Sequence, residues 1–170
     1  MVFSKEDGAR AVSGRYRPRL ADGRLETLLA NFPVVMLQGP RAAGKTTTAA
    51  RLAAHVVRLD VPAQAAAFRA DPDAALRSFP EPLLLDEWQE VPEVLGAVKR
   101  AVDSDGRPGR FLLTGSVRAD LESQAWPVTG RAVRLNMYGL TERELLGSID
   151  RSPMPLTSHR SFRQSVTTRR

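Results

Sequence analysis

Apolar and polar positions along this chain switch repeatedly between a helical period and short continuous apolar runs, marking an alternating series of helices and strands. Leu20, Leu25, Leu28, Leu29 and Phe32 fall toward one side of a helix predicted over about Arg19 to Asn31. The run Pro33-Val34-Val35-Met36-Leu37-Gln38 is short and apolar, as in a strand covered on both faces. Thr47 to Ala54 reads as the next helix and His55 to Asp60 as a second short strand. Pro62 to Ala70 and Asp71 to Phe79 read as two short helices, the second started by Asp71 as cap and Pro72 at its first helical position. Pro82-Leu83-Leu84-Leu85-Asp86-Glu87 is a buried strand ending in two acids. Val91, Val94, Leu95, Val98 and Val102 recur at helical spacing, which predicts an amphipathic helix from Pro92 to about Ser104. After the turn Asp105 to Gly109, Arg110 to Ser116 is another buried strand. Val117 to about Gln124 reads as a short helix, Pro127 to Gly130 as a loop, and Arg131 to Asn136 as a fifth strand. Thr141 to Leu146 starts a helix, with Thr141 and Glu144 spaced as a capping box.

This order places one α/β core at residues 16–148. Residues 1–15, with Gly8, Gly14 and little apolar content, read as a loose N-terminal segment. Residues 149–170 form an Arg/Ser-rich tail in which both periods are lost, and it reads as disordered. A length of 170 residues fits one domain with a real core. The absence of cysteine excludes a disulfide framework and a thiolate metal site. No apolar run reaches membrane-spanning length and no signal-peptide pattern opens the chain, so a cytoplasmic protein without membrane contact is expected. The net charge of +6 hints at nucleic acid, but five arginines and no acids sit in residues 151–170. Residues 1–150 are left at +1, and charge alone indicates no basic groove.

The chemistry concentrates at Gly39-Pro40-Arg41-Ala42-Ala43-Gly44-Lys45-Thr46, a match to the phosphate-loop pattern G-x-x-x-x-G-K-[ST]. An apolar strand before it and a helix after it supply the geometry the motif needs. Backbone N–H groups of such a loop form an anion nest at the positive end of the next helix. Lys45 would reach the β- and γ-phosphates, and the Thr46 hydroxyl would ligate Mg²⁺. Asp86, at the carboxyl edge where α/β sheets place ligands, fits the acid of a Walker B strand that holds Mg²⁺ through its water shell. Glu87 fits the base that orients water for attack on the γ-phosphate. Thr114 first, and Ser116 after it, are candidates for a hydroxyl that senses the γ-phosphate, against a plain strand ending. Arg118 and Arg131 are candidate charge-stabilising arginines, in the same chain or on a neighbour, weighed against solvated surface arginine. Tyr16, Arg17 and Arg19 could contact adenine or phosphates, though the start of a surface helix is the weightier reading. His55 is read as structural.

On these residues the chain resembles the AAA-type P-loop ATPase core of the AAA_14/DUF4143 family of bacterial and archaeal ATP-binding proteins. The resemblance is carried by Tyr16 with Arg19, LQGPRAAGKTT at 37–47, LLLDEWQEVP at 83–92, RPGRFLLTGS at 107–116, TGRAVRL at 129–135 and GLTERELLG at 139–147. It implies a three-layer α/β fold of the additional-strand type, with a five-stranded parallel sheet in the order 5-1-4-3-2. It also implies ATP and Mg²⁺ as cofactors, with residues 39–47, Thr47 included, around the phosphates. The roles given above to Lys45, Thr46, Asp86, Glu87 and Thr114 follow the family pattern. The resemblance stops after Gly147, whereas family members continue into a DUF4143 domain. The expectation is therefore a truncated or frame-shifted product.

Two functions follow: a Mg²⁺-dependent ATPase core, or an ATP-binding module or switch with little hydrolysis. A small-molecule kinase lacks a visible arginine-rich lid and acceptor pocket, and a GTPase lacks an Asn-Lys-x-Asp segment. A homo-oligomer or protein partner fits the family, and DNA enters by fold analogy only.

Overall fold

The computed structural model describes residues 16–116 and 130–147, with the Ser116 side chain excepted. The elements expected at 1–15, 117–124, 127–129 and 148–170 lie outside the described residues, as do Arg118 and the Ser116 hydroxyl.

Five strands alternate with helices: β1 (Val34–Gly39), β2 (His55–Arg58), β3 (Leu83–Asp86), β4 (Phe111–Ser116) and β5 (Ala132–Asn136). All pairings are parallel, and the spatial order is β2-β3-β4-β1-β5. Read from the other edge this is the expected 5-1-4-3-2. Because β4 lies between β1 and β3, the phosphate-loop strand and the acid-ended strand are separated by one strand. Registers align Leu37 with Thr114 and Thr114 with Asp86, so one row of the sheet leads from the loop to the acid.

Side-chain alternation divides the sheet into two faces. Val34, Met36, Leu83, Leu85, Phe111 and Leu113 pack on one face with Phe68, Leu76, Leu95 and Val98. Those partners come from α3 (Pro62–Ala70), α4 (Pro72–Arg77) and α5 (Val94–Ser104). Val35, Leu37, Leu84, Leu112 and Leu135 pack on the other with Leu25, Leu28, Leu29 and Ala49. These belong to α1 (Asp22–Asn31) and α2 (Lys45–Ala50). The result is helix, sheet, helix. Leu83, Leu84 and Leu85 are fully buried, which is why their strand reads as an unbroken apolar run.

Two helix starts form as their residues require. Asp71 accepts from the Ala74 N–H at 2.9 Å, and Pro72 follows it as the first residue of α4. At α6 (Glu142–Leu145), Thr141 and Glu144 make the reciprocal capping box. Elsewhere the expected bounds shift. α1 begins at Asp22, so Leu20 and Phe32 lie outside it, 47% and 41% exposed, and not on its buried face. Only Leu25, Leu28 and Leu29, at the i, i+3, i+4 spacing, are buried there. α2 begins at Lys45, inside the phosphate loop, and ends at Ala50. A 3₁₀ turn over Trp88–Glu90 precedes α5, which starts at Val94.

Candidate functional site

The loop over Gly39–Thr46 leaves the carboxyl end of β1 and turns directly into α2. Its two glycines answer to different needs. A Cβ on Gly39 would lie 1.9 Å from the Met137 carbonyl oxygen, because the chain after β5 pairs tightly there through Met137 N–H to Gln38 O at 2.7 Å. Gly44 has φ +86°, a left-handed conformation open to glycine, and a Cβ there would meet the Arg19 guanidinium at 2.9 Å. Pro40, Arg41 and Ala42 are exposed, Ala42 with φ 59°, while Ala43 is buried. The Lys45 ammonium, 5% exposed, donates to the carbonyls of Gly39 at 3.0 Å and Pro40 at 2.8 Å. An ammonium has three N–H donors, so one is left for a phosphate oxygen. Thr47 is half-buried in the first turn of α2.

Three oxygens meet at the carboxyl edge of β3. The Thr46 hydroxyl donates to Asp86 Oδ1 at 2.6 Å, and the fully buried Thr114 hydroxyl donates to the same oxygen. Asp86 is thus held from both sides, by the loop and by β4. This donor set suits Mg²⁺. A hydroxyl that gives its proton to a carboxylate keeps its lone pairs for a cation, and Mg²⁺ takes only one or two protein oxygens beside water and phosphate. Among the described residues no cluster of three or more His, Cys, Asp or Glu forms a metal cage, so Thr46 and Asp86 are the candidates.

Glu87 follows Asp86 in a left-handed conformation, φ 53° and ψ 50°. For a residue with a Cβ this is costly and persists only where the surroundings impose it. The bend turns the chain from β3 into the 3₁₀ turn, where the Gln89 amide donates to Glu87 Oε2. Gln89 Oε1 is buried without a partner among the described residues.

Arg131 falls away from this site. It precedes β5 at the sheet edge opposite the loop and pairs with Asp103 of α5. Arg19, read above as part of a surface helix start, is 7% exposed and lies against the phosphate loop. Its guanidinium is shared among Ala43 O, Tyr138 O and Glu144. Tyr16 donates to Asp22 Oδ1 at 2.6 Å and its ring lies under Arg51. Arg17, exposed, donates to Leu145 O. Gln89, Gly115 and Glu144 were not legible as site neighbours. Glu144 reads in the sequence only as a helix cap, and nothing in WQEVP or LLTGS marks that Gln89 lies against Gly115, where an added Cβ would come 2.7 Å from Gln89 Oε1.

A cleft of ≈740 Å³ lies at the opposite, amino-terminal edge of the sheet, lined in part by Asp73, Glu81, Arg100, Asp105, Arg107 and Arg110. Arg100, Arg107 and Arg110 close ion pairs there with Asp73, Glu81 and Asp105, and Arg77 lines the cleft beside them.

The sequence pattern of one family, described as an AAA domain, matches residues 31–146, which takes in the loop, all five strands and the capping box. An uncharacterized protein of Mycobacterium tuberculosis and one of Mycobacterium bovis are each 36% identical to this chain over 131 residues. The alignment covers 75% of this chain and 30% of either relative, so the chain spans under a third of the length of the curated relatives it matches.

Proposed function

The chain belongs to the AAA domain family, and from that premise we propose that it binds ATP with Mg²⁺ and hydrolyses it by in-line attack of water on the γ-phosphate. The observation that carries the reading is the shared hydrogen bonding of Thr46 and Thr114 to one Asp86 oxygen, directly beside the phosphate loop. Lys45 and the loop amides hold the β- and γ-phosphates. Thr46 and Asp86 hold the metal, which when bound supplies charge neutralisation across the phosphate oxygens. Glu87 orients the water. The water oxygen forms the bond to phosphorus, the bond to the bridging oxygen breaks, and the proton leaves toward Glu87, giving ADP and phosphate. Thr114 acts through Asp86, coupling β4 to the metal side of the site.

Lys45→Ala removes the one ammonium in the loop and should abolish ATP binding in a calorimetric titration. Unchanged affinity would refute the assignment of the loop. Glu87→Gln keeps shape and loses the base, so ATP should still bind while turnover falls roughly 10²-fold or more. Normal turnover in that variant removes Glu87 from the mechanism.

A second reading, a nucleotide-operated switch with little hydrolysis, is favoured by one contact: the Glu87 carboxylate is already engaged by Gln89. A single-turnover assay separates the two, since a switch leaves the bound ATP intact. Running the same assay with and without DNA tests whether nucleic acid is the partner.

A further inference from the structure

Arg19 precedes every element of the sheet, yet it is one of the most buried charged residues described, with 7% of its surface exposed. Its planar fork meets three acceptors from three stretches of chain. Nη1 donates to Ala43 O at 2.7 Å, Nη2 to Tyr138 O at 2.7 Å, and Nε to Glu144 Oε1 at 3.0 Å. Glu144, 4% exposed, also accepts from the backbone N–H groups of Leu20 and Thr141 at 2.8 and 2.7 Å and from the Thr141 hydroxyl at 3.0 Å. A guanidinium so desolvated is stabilised only while its partners stay in place. Ala43 O is the carbonyl of the peptide whose N–H belongs to Gly44, inside the phosphate nest. Pulling on that carbonyl sets the tilt of the peptide and the direction of its N–H.

We propose that Arg19, held by Glu144, is a positioning residue for the phosphate loop: it fixes the Ala43–Gly44 peptide in the orientation that presents its N–H to a phosphate. It ties that orientation to the segment after β5. The inference rests on the proposed ATP site for its effect on affinity, but its effect on the loop exists without nucleotide. Arg19 touches no reacting atom in this scheme. It acts through Ala43, and Gly44 leaves room for it because a Cβ there would collide with Nη1.

The test uses the full chain with Arg19→Lys, Arg19→Ala and Glu144→Gln. In the nucleotide-free protein, hydrogen exchange is followed at Ala43 and Thr48, whose amides bond to Pro40 O and Gly44 O, with α5 as an internal reference. All three variants should speed exchange at Ala43 and Thr48 while leaving α5 unchanged. Arg19→Lys should match Arg19→Ala, because a single ammonium cannot serve three acceptors held in a plane. ATP affinity should fall about tenfold in the Arg19 variants, and less in Glu144→Gln, which keeps a carbonyl acceptor. Wild-type exchange at the loop, or faster exchange there only in step with α5, overturns the proposal. If Arg19→Ala fails to fold, Arg19→Lys and Glu144→Gln give the same readout. If the wild-type chain binds no ATP, the functional reading fails, while the exchange data still decide whether Arg19 orders the loop.

Discussion

A Cβ added to Gly115 would lie 2.7 Å from both Gln89 Oε1 and Trp88 Nε1. Both atoms end side chains of the turn that follows Glu87, so the bare backbone of β4 leaves space for the group that holds the Glu87 carboxylate. Gly115→Ala should therefore displace Gln89 while leaving the loop alone. The expected outcome is ATP affinity near wild type and altered turnover: lower if Gln89 aims Glu87 at water, higher if Gln89 restrains it. Steady-state turnover measured beside a binding titration checks this, and unchanged turnover would show that the Gln89 contact plays no part. Gly39 differs in kind. Its hypothetical Cβ meets a backbone carbonyl at 1.9 Å, which cannot swing aside, so Gly39→Ala should part the loop from the segment after β5. A loss of about 1–3 kcal/mol or more, with loss of binding, is expected from urea unfolding and ATP titration.

At the scale of elements, the sharpest test is α4. Asp71 supplies the cap through one hydrogen bond to the Ala74 N–H, so Asp71→Ala should cost about 1 kcal/mol and Asp71→Asn much less. Urea midpoints compare them directly, and equal losses would mean that the charge, not the acceptor, matters. This helix was legible from two residues, and β1, β3 and β4 from their apolar runs, because a strand covered on both faces must be apolar throughout, whereas the edge strands β2 and β5 keep exposed Arg58 and Arg134. Helix starts were harder to read. Lys45 opens α2 although it belongs to the loop motif, and Leu20 and Phe32 extend the apolar pattern of α1 without joining its buried face. The site divides in the same way. Asp86 and Thr114 lie toward the carboxyl ends of β3 and β4, and Lys45 and Thr46 open the helix after β1, so strand–loop–helix order alone brings all four to one edge. The burial of Arg19 depends on contacts 24, 119 and 125 residues away, which no local pattern encodes.

Those long contacts give the whole molecule an acid-sensitive joint. Burial alone would push the Glu144 carboxyl up, but the N–H groups of Thr141 and Leu20, the Arg19 guanidinium and the Thr141 hydroxyl outweigh it. They bring it down from 4.5 to about 2. A carboxylate with a depressed folded-state value favours folding above its unfolded value and loses that contribution as pH falls toward the folded one. The window thus runs from about 4.5 down to about 2. By linkage it is worth ~3 kcal/mol in full, with somewhat under half of that gone about one unit below the unfolded value. Asp73, Asp103 and Asp105 are also held low, first by a hydrogen bond from Arg100, from Arg131 and from the Arg107 backbone respectively. Those pairs face solvent, where screening leaves them little weight. Glu144→Gln should therefore start less stable at neutral pH and lose less on acidification, so that the two urea-unfolding curves converge between pH 4.5 and pH 3. Parallel curves across that range would place the acid sensitivity elsewhere. Convergence would show that the N-terminal arginine, the phosphate loop and the segment after β5 hold together through one ionised carboxylate.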